Sequence, residues 1–246
     1  MWYTFYMFYT KIHLSKIPVE KTRDGIGSRQ ALIKPEYLTT PFLESITKVV
    51  VNPLRMLDWH LHIDTDEVMI ITAGQGKFYY KEQREEKCID YKEEDVIIVP
   101  SNILHRIVAD GPVRTEGFFF RIRAKSGVKH TLSCMKRSIT DIPLESIHGA
   151  QNTRKTLGTT EMVSSDYLEA ITKGILRSGE MWELHDHKDT DEIGIVLKGQ
   201  GIWTIGDEKI PYQQGDVLIV QGNTFHMQEA TGDLPTEFFF IRVKAK

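Results

Sequence analysis

The sequence predicts an all-β chain made of two tandem jelly-roll β-barrels, and three observations carry that expectation. The chain repeats itself: Leu43-Glu44-Ser45-Ile46-Thr47-Lys48 returns as Leu168-Glu169-Ala170-Ile171-Thr172-Lys173, and residues 43–76 against 168–201 hold 16 identical pairs in 34. Short β-branched or aromatic runs at 68–72, 77–80, 96–99 and 117–123 are punctuated by Gly-Gln-Gly at 74–76 and by other Gly, Pro and Asn turns, with few stripes of helical period. The length of 246 residues holds two such units, since domains cluster near roughly 100–150 residues.

The opening segment, Met1 to Thr10, is aromatic and reads as a strand that docks on a sheet or on a partner subunit, so a homodimer is an open expectation. It lacks the leading charge and small-residue cleavage site of a secretory signal, and Met7 is an alternative start. The first barrel is assigned to 1–128 and the second to 129–246, with a hinge in the polar stretch 125–137. The repeat offset is 125 up to Gly76 and 121 from Asp95, because a charged hairpin tip at 81–87 shrinks to 206–208 in the second copy. Length changes at a turn between aligned strands are ordinary surface-loop behaviour.

Net charge is −3, with 31 basic and 34 acidic residues, which offers no basic footprint for nucleic acid. No apolar run approaches the roughly 20 residues of a spanning helix, so no membrane partner is expected. Cys88 and Cys134 have no CxxC spacing and read as free thiols in a reducing cytoplasm.

Six of the nine histidines fall in two matched clusters. In a strand, His60 and His62 share a face, as do His185 and His187, so each pair can chelate one ion. Glu67 and Glu192 follow after a four-residue turn, and His105 and His226 arrive from a later strand end. Three imidazoles and a carboxylate suit iron(II) or manganese(II) first, and also nickel, cobalt or zinc. An ion accepting six ligands keeps positions open for a bidentate oxygen substrate or dioxygen, whereas zinc can close at four and be inert. A single H-x-H occurs by chance, but H-x-H-x4-E-x6-G occurs twice here, each time with a later His.

These two motifs, the second of the form P-x-(G/N)-x2-H, resemble those of the cupin superfamily, and their doubling resembles a bicupin. The resemblance implies two cupin-type jelly-roll barrels (double-stranded β-helices), with His60, His62, Glu67 and His105 holding one ion and His185, His187, Glu192 and His226 another. Two positions depart from the pattern: Gln221 stands at the Pro of the second motif, and Glu94 at a Gly that Gly215 retains.

Strand alternation places Met56, Asp58, Met69, Ile71 and Ile107 on the ligand face of the first copy, matched by Met181, Glu183, Gly194, Val196 and Gln228 in the second, with Phe78 and Trp203 on the next strand. Gly194 and Gln228 make the second copy the roomier and more polar one, so Gly194, Trp203 and Gln228 are expected to meet the substrate, with Arg242, like Arg121, anchoring an acidic one. A strand Gly that relieves close packing is the equal alternative. Asp58 and Glu183 are candidate proton shuttles, or solvated acids at a barrel rim. Asp64, Asp66, Asp189 and Asp191 read as turn formers. The functional expectation is a metal-dependent enzyme acting on a small oxygenated substrate, with dioxygenase-type chemistry ahead of a keto-acid or sugar isomerase. A non-catalytic ligand- or metal-binding protein is the alternative from another class.

Overall fold

The computed structural model describes residues 9–22, 25–124 and 132–245. The boundary at 128/129 and most of the aromatic opening lie outside the described residues. No described helix is long and apolar enough to cross a membrane.

The first half contributes β1 (Tyr9–His13), β2 (Glu20–Lys21), β3 (Gly27–Ala31), β4 (Leu43–Val51), β5 (Met56–His60), β6 (Thr65–Ala73), β7 (Gln75–Glu82), β8 (Glu85–Lys92), β9 (Asp95–Val99), β10 (His105–Ala109) and β11 (Thr115–Arg123). After it come β12 (Met135–Ser138), β13 (Glu145–Ile147), β14 (Ala150–Thr159), β15 (Leu168–Leu176), β16 (Met181–His185), β17 (Thr190–Lys198), β18 (Gln200–Ile205), β19 (Glu208–Gln213), β20 (Asp216–Val220), β21 (His226–Ala230) and β22 (Thr236–Lys244). Each half folds a seven-stranded sheet over a four-stranded one: β12-β9-β6-β11-β4-β3-β2 over β5-β10-β7-β8, and β1-β20-β17-β22-β15-β14-β13 over β16-β21-β18-β19.

The edge strands are exchanged. β1 pairs with β20 of the second half, Tyr9 opposite Val220, and β12 pairs with β9 of the first, Met135 opposite Ile98. The strand expected to dock on a sheet does so within its own chain.

The large sheets are buried on both faces, which is why their strands read as unbroken apolar runs rather than alternating ones. Along β6, Val68 and Ile70 face the core between the halves, while Met69 and Ile71 face the barrel interior. The inter-half core draws Phe118 and Phe120 from one half and Phe239 and Ile241 from the other. A second apolar cluster, around Trp182, Trp203 and Phe238, fills the other barrel. Glu94 adopts φ 67 where Gly215 adopts φ 88, so the departure from Gly keeps the same left-handed turn at the cost of strain.

Candidate metal centres

β5 with the turn that follows it, β6 and the start of β10 bring one donor set together. Nitrogen or oxygen atoms of His60, His62, Glu67 and His105 all lie within 4.8 Å of one another. His105 pairs opposite His60 across β5 and β10, and Glu67 enters from the large sheet opposite Arg121. Backbone carbonyls fix the ring orientations: His60 Nδ1 lies 2.6 Å from the carbonyl of Asp58, and His105 Nδ1 lies 2.8 Å from that of Ile103. A proton on Nδ1 donates to each carbonyl and leaves Nε2 free to bind a cation.

The second half brings three of the four equivalents equally close, from β16, the turn after it and β21, with Glu192 of β17 outside that group. His185, His187 and His226 meet the same 4.8 Å criterion. His185 Nδ1 lies 2.7 Å from the carbonyl of Glu183 and His226 Nδ1 2.9 Å from that of Thr224. Glu192 Oε2 lies 3.0 Å from His187 Nε2, and its Oε1 3.4 Å from His226 Nε2.

Both sets fit a metal ion. The Nε2 atoms of His62, His105, His187 and His226 are buried without a hydrogen-bond partner, an arrangement that costs free energy unless a ligand satisfies it. Ligand bonds of about 2.1 Å place neighbouring donors about 3.0–3.4 Å apart. In the first half the Glu67 oxygens lie 3.5 Å from His62 Nε2 and 3.4 Å from His105 Nε2.

Four of the donor groups hold protonation states that suit a cation, whereas Glu192, against burial, raises His226. Burial pushes the Glu67 carboxyl up, but the imidazoles of His105 and His62 and the Arg121 guanidinium outweigh it and hold it well below the usual range. Glu192 is held low against burial by His187 and His226. Burial, with His226 beside it, lowers His185 to about 4, and burial with His105 lowers His60.

The two halves differ beside the ion. In the first, a cavity of about 350 Å³ opens next to His60, lined by Arg29, Thr47, Val49, Leu57, Phe119 and Arg121 among others, with Asp58 at its exposed rim. In the second, only about 20 Å³ remains between His148, Trp182, Gln228, Phe240 and Arg242.

The expectation of a roomier second copy is therefore corrected. A Cβ on Gly194 would stand 2.7 Å from the Phe240 ring, and one on Gly174 would stand 2.5 Å from the Trp182 indole. Both glycines admit aromatic rings that fill the space, so the close-packing reading of Gly194 holds. Trp203 is fully buried, edge-on to Tyr9 at 5.8 Å, and does not line the residual space. Gln228 and Arg242 do line it, but Arg242 is engaged with Glu169 at 2.9 Å and Glu192 at 3.8 Å.

Glu183 is also misplaced for a proton shuttle. Its carboxylate packs over Gly149 and lines a surface cleft that contains no metal ligand. Asp58 opens on the first cavity, where its carboxylate accepts from the backbone N–H of Trp59 at 2.7 Å.

Two features escaped the sequence reading. His148 stacks on His185 with ring centroids 3.7 Å apart and planes at 14°. Two parallel stacked rings cannot both contain one ion in their planes, so His148 covers the second centre rather than ligating it. Arg29 and Arg154 are the other omission; their equivalence at the 125 offset was the available signal.

Residues 174–242 match the family profile described as a cupin domain. An uncharacterized protein of Methanocaldococcus jannaschii is 30% identical over 67 residues, covering 27% of this chain; the match spans about half of that relative, 54% of its length. Among solved structures, Bacillus subtilis oxalate decarboxylase, described with Mn(II) centres, superposes with a TM-score of 0.74 at 16% identity, over 96% of this chain and 77% of that one. A structure of oxalate decarboxylase addressing its substrate binding mode gives 0.75 at 17% identity, with the same coverage of 96% and 77%. At such identity the likeness is one of fold.

Proposed function

The chain belongs to the cupin superfamily as a two-barrel member, and on that premise we propose that it is a metal-dependent enzyme whose first barrel is the reaction chamber for a small oxygenated substrate. The observation that carries this is the open space of about 350 Å³ beside His60, against about 20 Å³ beside His185. Both donor sets can hold an ion, but only the first leaves room for anything larger than a water beside it.

His60, His62, Glu67 and His105 would hold the reactive ion, which when bound supplies Lewis acidity to a substrate oxygen. Arg121 donates from Nε to Glu67 at 2.8 Å, which keeps that carboxylate ionised and oriented. Asp58, at the rim of the same cavity, is the carboxylate placed to carry a proton between substrate and solvent. Val49, Leu57 and Phe119 exclude water from the inner wall. Iron(II) and manganese(II) head the metals to test, the latter also supported by the Mn(II) centres of the structural neighbour. Dioxygenase-type chemistry remains the finer proposal, with the non-redox keto-acid isomerase separated from it by oxygen uptake.

The second half supplies the design for the test. Val49 and Leu57 match Gly174 and Trp182, the pair that fills the other barrel. The V49G/L57W double variant should keep two equivalents of metal and lose turnover and ligand binding. Activity equal to the parent protein would overturn the assignment to the first barrel.

A further inference from the structure

The first cavity carries more information than its size, because its walls differ in chemistry. We propose that its substrate is a singly charged carboxylic acid with a short apolar body, the carboxylate drawn by Arg29 and Arg121 and the body lying on Ile26, Val49, Leu57 and Phe119. This rests on the first barrel being the reaction chamber.

The arginines are the first support. Arg29 donates from Nε to Glu20 at 2.8 Å and Arg121 from Nε to Glu67 at 2.8 Å. Among the described residues no bond is recorded from their terminal nitrogens, and both side chains line the cavity. In the second half the equivalent groups are paired with carboxylates, Arg154 more fully than Arg29. Arg154 places Nε and Nη2 on Glu145 at 3.0 and 2.6 Å, and Arg242 reaches Glu169 and Glu192 at once. In both halves the arginines pair with equivalent carboxylates, but only Arg29 and Arg121 open on a cavity with room for a ligand, and that marks them as the ligand-directed pair. A guanidinium with open terminal nitrogens is the group best shaped for a carboxylate.

Charge sets the sign of the ligand, and the wall sets its valence. A divalent ion and two arginines outweigh Glu67, Asp58 and the exposed Glu20, so the cavity is net positive and favours an anion. A second carboxylate would meet the wall of Ile26, Val49, Leu57 and Phe119, whose side chains offer it no donor, so one carboxylate is what the cavity suits. The four apolar side chains sit on the wall, and a compound without an apolar body would leave them facing water.

The test uses the full chain loaded with manganese, and calorimetric binding of three probes: 3-methyl-2-oxobutanoate, its neutral methyl ester, and oxalate. The branched monoanion should bind tightest, with the ester weaker by about tenfold or more, the loss of a charge-assisted contact. R29Q should bring acid and ester to similar affinity, while R29K, which keeps the charge, should restore part of the difference. Equal binding of acid and ester by the parent protein, an unchanged preference in R29Q, or tighter binding of oxalate would overturn the substrate class. V49G/L57W separates that failure from failure of the cavity itself: it should abolish binding of every probe with metal content intact. If it binds the probes as the parent does, or if no probe binds the parent, the cavity reading falls and the substrate class with it.

Discussion

Asp66 and Asp191 show at the scale of single residues what alternation alone could not reveal. Both sit in the repeated Asp-Thr-Asp-Glu turn, and both read from sequence as turn formers beside Asp64 and Asp189. Asp64 and Asp189 are that, with φ of 49 and 51. Asp66 and Asp191 are fully buried and reach across the molecule. Asp66 accepts from the backbone N–H of Ser101 at 2.8 Å and from that of Ser165, in the other half, at 2.7 Å. Asp191 accepts from the N–H groups of Thr39 and Thr40 at 2.7 and 2.8 Å, the mirror of the same clamp. Burial raises the Asp66 carboxyl above its ordinary 3.8, against the pull of those N–H donors. D66N would turn an amide NH2 toward one of them, leaving a buried donor unmatched at a cost of about 1–3 kcal/mol. A raised acid favours the native state below its unfolded value and loses that advantage as pH rises through the raised value. The stability gap between the metal-free parent and D66N should therefore widen as pH falls from 7 toward the ordinary aspartate range. Urea melts at two pH values measure this; a gap constant with pH would sink the account.

At the scale of elements, the strands were legible because they obey period two, whereas His62 and His187 lie just past the ends of β5 and β16 and reach the donor sets from the following turns. What alternation cannot give is depth along a barrel, and so Trp203, rightly inward, was assigned to the substrate when it belongs to the deeper layer against Tyr9. Nor does it give the volume of a neighbour. Gly194 looked like space because Phe240, which fills it, comes from β22, 46 residues further along the chain. The turn between β13 and β14 was illegible for another reason: His148 aligns with Arg23 in the first copy, so the repeat held no matching histidine. His148 takes φ 47 there, a conformation costly for a non-glycine residue, and in it the ring stacks on His185. H148G relieves the backbone and removes the cover. On treating the loaded protein with a chelator, one equivalent should leave quickly and the other slowly, and H148G should accelerate the slow phase alone. An unchanged slow phase would show that His148 does not guard the second centre.

At the scale of the whole molecule, duplication has placed an interface of the kind found in symmetric dimers inside one chain. Residues meet their own counterparts across it: Phe42 stacks on Tyr167 with centroids 3.4 Å apart, and Phe118 meets Phe239 edge-on at 6.0 Å. The sequence announced two copies, but the unbroken apolar runs that bury both faces of the large sheets were the only hint of how they join. Three bonds of different kinds tie the halves together: the shared apolar core, the exchanged strands β1 and β12, and the paired aspartate clamps. If that coupling is as strong as its burial implies, neither barrel can unfold while the other stays native, because each would expose the core face of its neighbour and lose an edge strand. Calorimetry of the metal-free chain should then show one transition with equal van't Hoff and calorimetric enthalpies. Phe239, in the inter-half core, is the place to load the joint: F239A should cost about 3–5 kcal/mol. For a chain of this size that lowers the midpoint by roughly 10 °C. The single transition should shift without splitting. Two resolved transitions in the parent protein would mean that the barrels are separate folding units that merely touch, and a split only in F239A would mean that the aromatic contact, rather than the strands and clamps, carries the coupling.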